Sequence, residues 1–169
     1  MSPQAATGQV SDAVILERAR SFANEAMWTI ALQRRRARST EPEDHKFASR
    51  WWVDLQFLIV ALRRLRRAAE LASRVSSVAP LIESAMRDFD AAVPQLFLFR
   101  NVGEHIDDYL LGGPKRRHKQ VGRAMLQVGT WDGTTYRWLK ESLNVDLAHG
   151  AAVKLCTAVR TASRSLGRP

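Results

Sequence analysis

The chain has 169 residues, 46% of them apolar, and carries 26 lysines and arginines against 17 aspartates and glutamates, a formal charge of +9. At this length one core buries roughly 70% of the surface that the unfolded chain exposes, so a single domain over 1–169 needs no disulfide and no structural metal. The lone cysteine, Cys156, excludes an internal disulfide framework and a cysteine-based zinc site, and makes a reducing cytoplasm the expected compartment.

The longest apolar run, Phe57 to Leu62, falls far short of the roughly 18 residues of a membrane span. The opening MSPQAATGQVSD lacks the basic stretch and apolar core of a leader, so neither secretion nor membrane insertion is expected. Arginine accounts for 21 of the basic residues. An alanine- and arginine-rich composition also follows from GC-rich coding, so charge alone says only that polyanions or an acidic protein suit the chain better than cationic ligands.

Ser11 and Asp12 are placed to cap a long helix whose apolar stripe runs through Ile15, Ala19, Phe22, Ala26 and Ile30, widened by Leu16, Ala23 and Met27. It is expected to end in the cluster Arg34, Arg35, Arg36 and Arg38, where cations favour the negative end of the helix dipole. The Ser-Thr-Glu-Pro-Glu-Asp segment then reads as a loop, with Pro42 at the start of the next helix. From about Glu43 to Val75 the pattern is helical again. Trp51, Trp52, Val53, Leu55, Phe57, Leu58, Ile59, Val60 and Leu62 point all round its axis, which predicts a central buried helix.

Ser76, Ser77 and Pro80 mark a turn, and Leu81, Ile82, Ala85, Met86 and Phe89 form a third helix. Pro94 kinks this helix or opens a fourth, Gln95 to Leu111, which stops at Gly112, Gly113 and Pro114. A basic loop follows. Between Leu126 and Leu139 the period changes to alternation around Asp132-Gly133, a β-hairpin signal. A last helix starts from a cap near Asn144 or Asp146 and buries Ala148, Ala152, Leu155 and Val159, with a frayed tail after Arg160. The predicted fold is mainly α: about five helices in a bundle at 11–112 and 144–162, with a small β-hairpin at 126–139.

Chemically capable side chains converge at helical spacing in one segment, Arg100-Asn101-Val102-Gly103-Glu104-His105 and on to Asp107, Asp108 and Tyr109. An arginine followed after four residues by a histidine, with Asn101 directly after the arginine, resembles the signature of the HEPN superfamily of helical domains. Arg38 and His45 repeat the bare spacing, but across the Pro42 loop and with Ser39 after the arginine. Many HEPN toxins carry a tyrosine two residues after the histidine. Here that position is Asp107, and the nearest tyrosine is Tyr109.

The resemblance implies a metal-independent endoribonuclease acting as a homodimer, toxin-like or defence-related, with no cofactor and, in paired systems, an acidic antitoxin partner. Arg100, Asn101 and His105 would be the catalytic residues. A histidine suits proton transfer near neutrality, and the arginine fork matches phosphate oxygens. On a straight helix Arg100 and His105 lie about 140° apart, so one copy does not aim both at one phosphate, whereas two copies across a dimer supply both. Gly103 leaves room for a second helix or a substrate backbone. Glu104, Asp108, Tyr109 and Asp54 are expected to support the site, Asp54 as a buried counterion for Arg100 because an unpaired carboxylate in that apolar helix would be costly.

Without the resemblance, Arg100 and Glu104 are an i,i+4 ion pair and the chain is a helical interaction or nucleic-acid-binding module. Arg63, Arg64 and Arg67, with Arg66, form one basic cluster, and Lys115, Arg116, Arg117, His118 and Lys119 form another; both are candidates for phosphate contacts. Trp131, Tyr136 and Trp138 are candidates for base stacking or for packing on a helix. Glu104, His105 and Asp108 could ligate a metal, but His45, His118 and His149 lie on separate elements and no metal site is expected. Cys156 sits on the apolar side of the last helix, and no glycine-rich phosphate loop or Ser/His/Asp arrangement is present.

Overall fold

The computed structural model describes residues 10–165. It is mainly helical, with α1 (Asp12–Arg36), α2 (Arg50–Ala72), α3 (Ala79–Ala92), α4 (Leu96–Glu104), α5 (Ile106–Leu111) and α6 (Val145–Ser165). An antiparallel three-stranded sheet, β1 (Thr130–Trp131), β2 (Thr135–Trp138) and β3 (Glu141–Asn144), lies between α5 and α6 in order β1-β2-β3. The first nine residues and 166–169 lie outside the described residues.

Ser11 caps α1, its hydroxyl accepting from the Val14 amide. Leu16, Ala19, Ala23, Ala26 and Ile30 face the core as the stripe predicts, while Phe22 sits at its margin, 46% exposed. The arginines that follow do more than oppose the helix dipole. Arg34 and Arg38 both bind Asp146 at the start of α6, and Arg38 also donates to the Gly133 carbonyl in the hairpin turn at 2.7 Å. The end of α1 is thus tied to the sheet and to α6.

Pro42 opens a short 3-10 turn, Pro42–His45, and α2 begins only at Arg50, seven residues after the predicted start. α2 packs against α1, α3, α4 and α6. It is central but not buried all round: Val53 and Phe57 are exposed. Its inner face holds Leu55, Leu58, Ile59, Leu62, Leu65 and Ala69. Pro94 falls in the turn between α3 and α4 and opens the fourth helix without kinking the third.

The predicted helix from Gln95 to Leu111 is two helices broken at His105, whose backbone (φ −127°, ψ 35°) is not helical. Gly112 stops α5 in the left-handed region, φ 83°, as its lack of a side chain allows. Between β1 and β2, Asp132 accepts from the Thr134 and Thr135 amides at 3.0 and 2.7 Å, with Gly133 at φ 91°. The sheet has one strand more than the predicted hairpin. β3 follows a turn in which Leu139 and Lys140 both have positive φ, and its last residue, Asn144, caps α6 by accepting from the Asp146 and Leu147 amides. α6 runs past the expected fraying point at Arg160 to Ser165 and buries Ala162.

The sheet joins the bundle through aromatic rings. Tyr136 and Trp138 alternate with exposed Arg137, so both point inward, where Trp52 of α2 and Phe99 of α4 meet them at centroid distances of 5.0 to 5.6 Å. Trp131 donates its indole N–H to the Ala37 carbonyl, and Trp138 donates its own to the Gln127 carbonyl. These rings hold the sheet to the bundle, and Tyr136 and Trp138 have no face free for a base. Gly103 has a related use: a Cβ there would lie 2.5 Å from Gln56 Oε1. The close approach is made by α2 of the same chain.

Candidate functional site

α4 is short and amphipathic. Leu96, Phe99 and Val102 are buried, which turns Phe97 and Arg100 outward. Arg100 pairs with Glu104 one turn on, as the i,i+4 spacing predicts, and the two side chains are each about one-third exposed. Asp54 is not its counterion. Asp54 lies at the opposite end of the α2 packing, bound by Arg50 and by Arg36 Nε at 3.1 Å. Arg50 also bonds Asp44 and the carbonyls of Arg36 and Ser39, so the buried carboxylate is neutralised by its own helix and the end of α1.

Asn101 is buried, and its Oδ1 accepts from the Tyr109 hydroxyl at 2.6 Å. The same hydroxyl accepts from the His118 amide at 3.0 Å. Asn101 on α4, Tyr109 on α5 and residue 118 in the basic loop thus form one chain of hydrogen bonds, which folds the loop back over α4. Asp108 supports that return. Its carbonyl accepts from the Gly112 and Gly113 amides, both at 2.8 Å, and its carboxylate from the Lys115 amide at 3.5 Å. Asp108 and Tyr109 therefore position the loop.

The folded-back loop closes a cleft of about 490 Å³. Arg63, Arg67 and Glu70 line it from α2, Phe97, Arg100 and Asn101 from α4, and Arg117 and His118 from the loop. Of the predicted residues, Arg63, Arg67, Arg100, Asn101 and Arg117 thus meet in one place. His105 does not line the cleft; it lies half-buried at the α4–α5 joint. Arg64 lies in a separate groove with Phe22 and Glu25 of α1. Arg116 is spent on the loop itself, donating to the Lys119 and Val121 carbonyls at 3.0 and 2.9 Å. Lys115 and Lys119 are exposed outside the cleft.

Phe97 and Glu70 are the cleft residues that the sequence does not single out, whereas His118 enters it with the basic cluster. The Arg63 guanidinium lies over the Phe97 ring, 4.4 Å from its centroid, and bonds Glu70 at 3.3 Å. Glu70 also binds Arg66, which is held by Asp90 as well. Glu70 is thus shared by two cations, and Arg100 has Glu104. Arg67 and Arg117 have no ion-pair partner among the described residues. Guanidinium groups line the cleft from three elements, and with those of Arg67 and Arg117 uncompensated among the described residues the arrangement can take an anion.

Among the described residues, no three histidine, cysteine, aspartate or glutamate side chains are grouped to hold a metal ion, Glu104, His105 and Asp108 included. Cys156 is buried in the core, and burial raises its thiol pKa, as for a packing residue. No described helix is long and apolar enough to cross a membrane. Comparison of the chain with protein-family models, with curated proteins and with solved structures yields no match.

Proposed function

We propose that the chain binds RNA, gripping backbone phosphates in the cleft between α2, α4 and the loop after α5. The observation that carries this reading is the convergence of Arg63, Arg67, Arg100 and Arg117 on one cleft, with Arg67 and Arg117 lacking carboxylate partners among the described residues. Phosphate contacts release counterions, so affinity falls with salt at a log–log slope of about −0.7 per contact for single strands. Fluorescence anisotropy with a labelled RNA twelve-mer tests this. Arg67→Ala with Arg117→Ala should weaken binding and flatten the slope by about 1.4. An unchanged slope in the double variant refutes the cleft as the binding site.

A second reading is a HEPN-like, metal-independent endoribonuclease with Arg100, Asn101 and His105 as its catalytic set. It is favoured by the position of Arg100 and Asn101 in the cleft, whereas His105 lies outside it. Against this reading, Asn101 is already engaged by Tyr109. RNA incubated with the protein in excess chelator should give fragments ending in a cyclic phosphate, and His105→Ala should abolish them. Cleavage that survives His105→Ala removes this reading and leaves RNA binding standing.

A further inference from the structure

Arg67, Arg100 and Arg117 present cations to the cleft from three elements, which is what a phosphodiester backbone requires. Phe97 is not explained by that requirement. It is a large apolar ring, 49% exposed, on the outer face of a helix whose Leu96, Phe99 and Val102 already satisfy the core. The Arg63 guanidinium covers it at 4.4 Å, and Glu70 fixes Arg63 in turn. The result is an aromatic ring and a planar cation stacked together at the wall of an anion cleft.

Unpaired bases stack on aromatic rings and on guanidinium planes; bases within a duplex have both faces covered by their neighbours and cannot do so. The cleft's volume of about 490 Å³ lies within the ordinary range for a small organic ligand and so suits one nucleotide. On the reading that this cleft binds RNA, we infer that it selects single-stranded polynucleotide. One unpaired base stacks on the Arg63–Phe97 pair while its neighbouring phosphate lies among Arg67, Arg100 and Arg117. The Asn101–Tyr109–loop hydrogen-bond chain holds the His118 backbone against α4 and so keeps the loop that carries Arg117 at the cleft.

The test is anisotropy with a labelled single-stranded RNA twelve-mer and with the same strand annealed to its complement. Uridine monophosphate serves as competitor, and circular dichroism checks that each variant is folded. The wild type should prefer the single strand. Phe97→Ala should lose about tenfold on the single strand and nothing on the duplex, while Phe97→Tyr, which keeps a ring, retains wild-type binding. Arg35→Ala, which removes an exposed charge in the last turn of α1, should leave the preference intact.

Equal losses on both RNAs for Phe97→Ala, or none on either, overturn the inference while RNA binding survives. A wild-type preference for duplex does the same. Displacement by uridine monophosphate as readily as by unlabelled strand reassigns the cleft to free nucleotides and also overturns it. If the wild type binds neither RNA, the RNA-binding reading itself falls.

Discussion

Tyr109→Phe isolates the contact on which the candidate site is built. The ring of Tyr109 is 1% exposed and its packing is untouched by the change, so only the hydroxyl is lost. That hydroxyl donates to Asn101 Oδ1 at 2.6 Å and accepts from the His118 amide at 3.0 Å. Asn101 is 6% exposed, and no other partner for its Oδ1 lies among the described residues, so the variant strands a buried acceptor. Such a group costs about 1–3 kcal/mol, whereas the His118 amide, in a half-buried loop, can turn to water at smaller cost. The expected loss is about 2 kcal/mol. For a chain of this size that lowers Tm by about 4–8 °C. Urea titration supplies the free energy, and hydrogen exchange at the His118 amide reports whether the loop has come away from α4. A double variant, Tyr109→Phe with Asn101→Leu, removes both partners and should recover part of the loss. If Tyr109→Phe changes stability by under about 0.5 kcal/mol and leaves the His118 amide protected, the hydroxyl is not what holds the loop.

Other perturbations have equally definite outcomes. Arg50→Ala leaves the buried Asp54 carboxylate with Arg36 alone and should cost about 3–5 kcal/mol in a urea titration; a loss under about 1 kcal/mol would mean that Arg36 suffices. Asp146 is held at about 2 by hydrogen bonds from Arg38 and Arg34, below the ordinary carboxylate value of 3.8. Its contribution is therefore complete above the ordinary value and lost as pH falls from there through about 2, so Asp146→Asn should narrow the difference between Tm at pH 7 and at pH 2.5. An unchanged difference would show that these arginine bonds do not couple to folding. Gly129→Ala should destabilise by about 1–3 kcal/mol, because a Cβ there would lie 2.3 Å from the Arg137 carbonyl oxygen in the facing strand; a Tm equal to wild type refutes that rigidity.

The helices were legible because helical periodicity is a property of each segment alone. The inner faces of α1 and α6 follow the apolar spacing, and Gly112 marks a stop that the backbone uses. The misses arise where tertiary structure overrides local pattern. Arg100 to Leu111 reads as one helix, yet it breaks at His105 just after Gly103, where α4 is drawn tightly against Gln56. β3 was hidden because the Leu139–Lys140 turn lacks the glycine, asparagine or aspartate that advertises such a turn, and because Asn144 both ends the strand and caps α6. The apolar setting of Asp54 in the sequence calls for a cation, and the structure supplies Arg50, one helical turn upstream, in place of Arg100. The two basic clusters and Arg100 were each visible; their meeting depends on Tyr109 returning the loop, which no local pattern encodes. The same return brings His118, and not His105, to the cleft that Arg100 lines.

The position of α6 bears on how the chain folds. Its Arg160 bonds Asn24 across 136 positions at 2.8 Å, and the Cys156 thiol sits against the Ala23 carbonyl across 133. Helices form in well under a millisecond, but α1 has its second apolar face covered only after nearly the whole intervening chain has been ordered. Closing such a loop comes before any reward from the contact, so this bundle should fold more slowly than its helix content suggests. On the ribosome, α1 must wait with an open alanine-rich seam until α6 emerges, and during that interval the nascent chain is most exposed to chaperones or to misassembly with its neighbours.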